Sequence, residues 1–215
     1  MAKKLKAQKE TKIDKELKRH IPFLAWLAIL AVLFFIFYFA FQNLGKVKYE
    51  GLTFVKEKYG EVLVYHYNYL TKVSSGNYRS IDVFVRGNPA ENMVPINKEI
   101  IYPKDKTVYL SVNQTGLREC EDSTIALASL SIFLTNNDIP LKTGTPDWNE
   151  AKEKNQTYID CGHYPLSMTL LLRTGEETRI NRNGLCYYID VADCEILPAI
   201  EKFIVQSIID AKGDN

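Results

Sequence analysis

The sequence predicts an α+β fold, with an N-terminal transmembrane helix followed by one mixed, mainly antiparallel sheet domain with two main helices. Three observations carry this. Residues 21–41, IPFLAWLAILAVLFFIFYFAF, hold no charge over 21 positions. Residues 62–70, VLVYHYNYL, alternate with the period of a strand, and several shorter strand-like runs accompany them. Residues 122–135 and 194–212 carry apolar residues at helical spacing.

The formal net charge of +1 is a cancellation. Residues 1–20 carry eight bases and three acids, so this tail is +5; residues 42–215 carry 19 bases and 23 acids, which makes them −4. A strongly basic nucleic-acid binder is excluded by that balance. A disordered chain is excluded by a hydrophobic content of 46%.

At about 1.5 Å per residue the uncharged run reaches roughly 30 Å, the thickness of a bilayer's hydrocarbon core. Trp26 and Tyr38 lie near its two ends, where amphipathic rings sit at an interface. A buried core helix is the bland alternative, but such helices rarely run so long without a polar residue. The basic tail predicts a cytoplasmic N-terminus and places the rest of the protein outside. A cleaved signal peptide would have a shorter apolar core and a small-residue cleavage site, and FAFQNLG offers no clear one. The tail itself, with only Leu5, Ile13 and Leu17 as spaced apolar positions, reads as a solvated segment drawn to anionic lipid rather than as an interfacial helix.

Residues 46–215 suffice for one core, and no Gly/Ser- or Pro-rich linker divides them. Gln42 to Lys48 read as a tether. In the strand 62–70, Leu63, Tyr65, Tyr67 and Tyr69 share one face and Val62, Val64, His66 and Asn68 the other. A tyrosine stripe is more often a core face than a ligand platform; Tyr65 and Tyr67, with His66, are nevertheless the ligand-site candidates. Further strands are expected near 52–58, 80–86 and 107–112, with turns at Gly60, Gly76 and Gly87–Pro89. The helix over 122–135, DSTIALASLSIFLT, is apolar almost all round and should be buried on most sides. Thr145-Pro146 reads as an N-cap and N1 proline opening a short helix to Lys154. Strands near 157–160, 168–174, 177–181 and 185–191 follow, with a tight hairpin at Asn183-Gly184. The last helix, 194–212, should bury Ile196, Ile200, Phe203, Ile204 and Ile208 and keep Glu201, Lys202, Gln206 and Asp210 wet. Asp190 and Asp193 are expected to cap it.

Cys120, Cys161, Cys186 and Cys194 all fall on the outer side, where disulfides persist, and three pairings are possible. An extended strand between Cys186 and Cys194 would hold them roughly 15–20 Å apart, too far for a bridge. If the strands 168–174, 177–181 and 185–191 form a meander, the first and third run the same way, which brings Cys161 towards Cys186. That leaves Cys120 with Cys194, each at a helix start. The alternatives are a redox thiol at a helix N-terminus and a zinc site. There is no C-x-x-C, and the cysteines and three histidines lack zinc-ligand spacing.

No G-x-S-x-G, P-loop, H-E-x-x-H or G-x-G-x-x-G motif is present, so no catalytic residue is assigned. The acids Glu119, Glu121 and Asp122 are explained by a helix start. His66 could act as a general base, but no nucleophile is paired with it in sequence. Asn113-Gln114-Thr115 and Asn155-Gln156-Thr157 are glycosylation sequons in expected loops.

The segments RGNPAENMVPI, TVYLSV…LRECEDSTIALASLSIFL and YIDC…LCYYIDVADCEILPAIEKF together resemble a family of uncharacterised single-pass membrane-anchored proteins of archaea with small genomes. The resemblance covers nearly all of the outer domain. It implies a basic N-terminus, one anchor and an α+β ectodomain with spaced cysteines. The positions matching Cys161 and Cys186 recur regularly in that family, which agrees with pairing them. The motifs are structural and imply no activity and no cofactor. The functional expectation is therefore a membrane-anchored extracytoplasmic binding or envelope-assembly module. Its partners are the lipid bilayer and a protein or envelope component. An anchored hydrolase-like enzyme and a thiol redox factor are the alternatives.

Overall fold

The computed structural model describes residues 23, 25–39, 45–72, 76–104 and 107–213. It divides into two units, Met1–Gly45 and Lys46–Asn215. In the first, residues 25–39 are helical, with the apolar side chains from Phe34 to Phe39 exposed. Among the described residues no helix is long and apolar enough to cross a membrane. The basic tail, residues 1–20, and residues 21, 22, 24, 40 and 41 of the expected span lie outside them.

The second unit is α+β with two sheets, where one was expected. The first sheet is antiparallel, with its strands in sequence order: β1 (Lys46–Tyr49), β2 (Leu52–Tyr59), β3 (Val62–Lys72) and β4 (Tyr78–Val85). The expected tether thus ends earlier than Lys48, because the backbone is already paired from Lys46. Glu50 and Gly51, at φ 46° and 78°, form the two-residue turn that folds β1 onto β2.

The second sheet holds β5 (Val108–Val112), β6 (Leu141–Gly144), β7 (Thr169–Thr174), β8 (Arg179–Asn183) and β9 (Cys186–Val191), in the order β6-β5-β7-β9-β8. Its pairs are parallel except β8 against β9. The tight turn after Asn183 is as expected, with Asn183 opposite Cys186. β9, however, pairs with β7 directly and β8 lies outside it, so these strands are not a meander. The expected strand near 157–160 is reduced to one bridge between Thr145 and Tyr158.

Among the described residues three helices complete the unit: α1 (Ser123–Asn136), α2 (Trp148–Glu153) and α3 (Ile196–Gly213). Asp147, not Thr145, caps α2, accepting from the Glu150 N–H at 2.9 Å. The Thr145 hydroxyl instead donates to Glu150 Oε2 at 2.8 Å. The inner faces of both sheets, α1 and α3 share one core. Inward positions of the first sheet, such as Phe54, Ile81 and Val83, join those of the second, Leu110, Leu172 and Ile189, through Leu130, Phe203 and Ile204 of the helices. Burial of so many aliphatic and aromatic side chains is the main stabilising contribution here.

The two-sheet arrangement explains where α3 departs from expectation. Of the four polar residues expected to stay wet only Glu201 is buried; Lys202, Gln206 and Asp210 are half-buried, and this face clips the first sheet and the segment 86–101. Glu201 is only 5% exposed and accepts the backbone N–H groups of Arg86 and Gly87. Burial pushes its carboxyl above the usual range, against the pull of those two amides. Lys202 Nζ donates to the Tyr49 hydroxyl at 2.7 Å, and Asp210 Oδ2 accepts from the Ile100 N–H at 2.6 Å. Asp190 likewise caps nothing: it is buried on β9 and accepts from Arg173 Nε at 2.7 Å and Arg179 Nε at 3.4 Å. Asp193 takes a left-handed φ of 46° in the turn before α3.

Both disulfides join the expected partners. Cys120 and Cys194 lie with Cα atoms 5.2 Å apart, tying the approach to α1 to the approach to α3. Cys161 and Cys186 lie 5.6 Å apart, tying the long segment after α2 to the start of β9. Because β7 and β9 are parallel, the start of β9 and the entry to β7 share one end of the sheet, the geometry that pairing needs.

Candidate ligand-binding site

The cleft comes from the β5–α1–β6 crossover. Along β5, Val108 and Leu110 face the helices, while Tyr109 and Ser111 face the other way. The segment after β6 covers that other face: Tyr164 stacks on Tyr109 with centroids 3.6 Å apart, and the Ser111 hydroxyl donates to the Ile159 carbonyl at 2.6 Å. The backbone therefore leaves the carboxyl end of β5 towards one face of the sheet, and that of β6 towards the other. Ligands in open α/β sheets settle at such carboxyl-end crevices.

A cavity of about 570 Å³ opens there. Leu110, Val112, Leu117 and Ile196 supply apolar wall; Gln114, Arg118, Asn155, Gln156 and Thr157 bring polar groups. Thr124, Leu127 and Ser131 of α1 also line it, at i, i+3 and i+7 on one helix face. This corrects the expectation that α1 is buried on most sides. Ala126, Leu130, Phe133 and Leu134 are buried, but Leu127 fronts the cavity and Ile132 is 58% exposed. A helix apolar all round carries a second apolar face, and here part of that face walls a cleft.

The two sequons meet at this cleft, although 42 positions separate Asn113 from Asn155. Asn155, at a left-handed φ of 51°, lines it, as does Gln114 beside Asn113. Lys154 Nζ joins the two loops through Gln114 Oε1 at 3.3 Å. Sequence reasoning missed the cleft itself. The available signal was a strand, the loop VNQTGLREC, a helix and a further short strand, which is the pattern of a parallel crossover.

The candidates His66, Tyr65 and Tyr67 are not brought together. Tyr65 is buried at 7% exposure in the core. Tyr67 stacks on Tyr69, and both line a separate cavity of about 320 Å³ with Tyr102 and Phe133. The Tyr69 hydroxyl donates to Asn137 Oδ1 at 2.8 Å, and burial pushes this phenol up to about 12. His66 lies on the opposite, outer face, stacked on Phe84 with centroids 4.5 Å apart. Its Nδ1 is 2.9 Å from Glu57 Oε1 and its Nε2 is 2.8 Å from Asp82 Oδ1. Both ring nitrogens are thus committed to carboxylates across the strands on either side, and neither is left for a general base's work. The carboxylates lie on opposite sides of the ring, and among the described residues no group of His, Cys, Asp or Glu could hold a metal ion. His163 contacts Asp160 Oδ1 through Nδ1 at 3.1 Å, in the loop stapled by Cys161.

Both His66 contacts are donated only by the imidazolium. Partial burial pulls its pKa down, but the bonds to Glu57 and Asp82 outweigh this and raise it above 6.5. The Glu57 carboxyl is lowered by His66 and then Tyr59, and that of Asp82 by Asn68 and then His66. The raised histidine contributes stability fully below its unfolded value of about 6.5, and loses it as pH rises through the folded value. The lowered carboxyls contribute above their unfolded values and lose it as pH falls. NMR titration should give His66 a midpoint above 6.5, lowered in both Glu57→Gln and Asp82→Asn. His66→Ala should cost more stability at about pH 6 than at about pH 8. A wild-type midpoint at or below the ordinary value would contradict the geometry.

Fold and cleft together define a two-sheet α+β domain, cross-linked by two disulfides, with a crevice at the carboxyl ends of parallel strands. No family model, curated protein or solved structure matches this sequence.

Proposed function

We propose that this protein is a single-pass, membrane-anchored extracytoplasmic binding module that takes a ligand or partner segment in the β5–α1–β6 cleft. The observation that carries the reading is the cleft's composition. Apolar side chains form its wall, and amides and hydroxyls without intramolecular partners reach into it. Among the described residues, the side chains of Thr124, Thr143, Asn155, Gln156 and Thr157 have no hydrogen-bond partner, and all line the cleft. Convergent polar groups over an apolar wall are the ordinary make-up of a binding pocket. Among the described residues no histidine, cysteine or carboxylate lines it, so the cleft favours recognition over acid–base or thiol chemistry.

The anchor rests on the 21-residue uncharged run, with the +5 tail before it setting a cytoplasmic N-terminus. Two disulfides support an oxidising compartment for the domain. The likeness to archaeal single-pass proteins belongs to the same proposal. The hydrolase-like alternative loses support because His66 faces away from the tyrosines, and the thiol redox alternative because all four cysteines are bridged.

Alkaline-washed membranes with protease added from either side test the topology. The full-length protein should stay in the membrane pellet. The domain should be cut only from the outer side, and its four cysteines should resist alkylation until reduced. Protein washed into the supernatant, or a domain cut from the cytoplasmic side, would overturn the reading.

A further inference from the structure

Arginine pairing within the domain singles out one residue. Arg79 pairs with Asp138, Arg86 with Asp122, and Arg173 and Arg179 with Asp190; Arg182 donates to the carbonyls of Glu99 and Gly184. Arg118 alone among the described arginines has no side-chain hydrogen bond or ion pair, and it lines the cleft. It is also the only charged residue, among those described, that lines it. Glu119, Glu121 and Asp122 follow it in sequence, yet none of them lines the cavity.

From this arrangement we infer that the cleft binds a ligand bearing one carboxylate on an apolar body, with Arg118 as the anchor of the carboxylate. The inference rests on the cleft being the binding site, as proposed above. A guanidinium presents parallel N–H donors that match a carboxylate's two oxygens. The amides of Asn155 and Gln156, which also line the cleft, offer further donors, while Leu110, Val112 and Leu127 supply apolar wall for the body of the ligand. A phosphate fits less well. It would bring nearly two charges to a single cation, and the acids that follow Arg118 would repel the surplus. A carboxylate with an apolar body has two sources, the C-terminus of a peptide and a small free acid.

The test uses the full-length protein in lipid nanodiscs and isothermal titration calorimetry with three probes: N-acetyl-Ala-Leu-Leu as free acid, the same peptide as C-terminal amide, and N-acetyl-leucine. The acid should bind at least about tenfold more tightly than the amide, in line with a charge-assisted pair. Arg118→Gln should remove that difference, and Arg118→Lys should keep part of it. Binding of the tripeptide acid alone assigns the C-terminus of a polypeptide; binding of N-acetyl-leucine as well assigns small acids. Equal binding of acid and amide, unchanged in Arg118→Gln, would overturn the carboxylate assignment while leaving the cleft in place. Failure of both acids to bind would overturn it too. Acid-selective binding that survives Leu127→Trp, which fills the cleft, would overturn the cleft as the site.

Discussion

Replacing Cys120 and Cys194 together by serine should cost about 4.5 kcal/mol of stability. The bridge closes a loop of 74 residues, and the chain-entropy model assigns a loop of that length about this much. The loop holds α1, β6, α2, β7, β8 and β9, so most of the second sheet lies inside it. It also ties together the approaches to the two central helices, beside the cleft that Leu117 and Ile196 help to line. For a domain of this size, the expected fall in melting temperature is on the order of 9–18 °C. The shorter loop of Cys161–Cys186, 25 residues, should contribute about 1 kcal/mol less, about 3.5 kcal/mol. Removing the cysteines in pairs avoids a free thiol that could form wrong bridges. Urea denaturation of both double variants, beside wild type with and without reductant, is the measurement. A Cys120/Cys194 double variant within about 1 kcal/mol of oxidised wild type would refute the expected loss.

Phe203→Ala should cost about 3–5 kcal/mol. Phe203 is fully buried at 0% exposure in the middle of α3, between the two sheets. Its ring meets Tyr187 edge-on, with centroids 5.9 Å apart at 83°, a geometry that adds to the burial itself. Tyr187 belongs to β9, which is paired to β7 and β8 on its two sides and cannot collapse into the space left behind. Tyr187 is the coupled element. Its hydroxyl accepts from the Ile101 N–H at 2.8 Å and donates to the Glu99 carbonyl at 3.2 Å, so the ring that loses its partner also holds the segment joining the sheets. Phe203→Ala and Tyr187→Phe should therefore be non-additive. Chemical denaturation of the two single variants and the double measures this. Strict additivity would show that Tyr187 is positioned without Phe203.

Much of the fold was legible because periodicity reports local geometry. The alternation of VLVYHYNYL correctly turned Tyr65, Tyr67 and Tyr69 to the core and His66 outward. Strand bounds around β2, β3, β7 and β9 and both central helices were recognisable for the same reason; the cysteine pairing was favoured on reach and on β7 and β9 running the same way. The short strands were not. β1 is KVKY and β6 is LKTG, each four residues long at a sheet edge and carrying exposed lysine. Edge strands gain protection from such charges, and the charges hide them from a hydrophobic pattern. Missing β6 hid the parallel crossover, and with it the cleft. The acids and amides of α3 misled for a related reason. Glu201 reads as a wet residue, but the chain leaving β4 covers it, and backbone N–H groups of Arg86 and Gly87 satisfy the carboxylate instead.

By itself the sequence determined the class of fold, the order and facing of most elements, and the charge asymmetry from which an anchored topology is proposed; it favoured one of three cysteine pairings, the one the structure holds. Each of these follows from near neighbours in the sequence or from simple limits of reach. Only the tertiary structure decided that there are two sheets, that β5, β6, β7 and β9 run parallel, and that Arg118, Asn155 and the Thr124–Leu127–Ser131 face of α1 surround one cavity. A strand's free N–H and C=O groups accept a neighbour of either direction, so its side-chain pattern leaves the partner open. The choice falls to the whole core, and it is that choice which sets Arg118, without a side-chain partner, in the lining of a cleft.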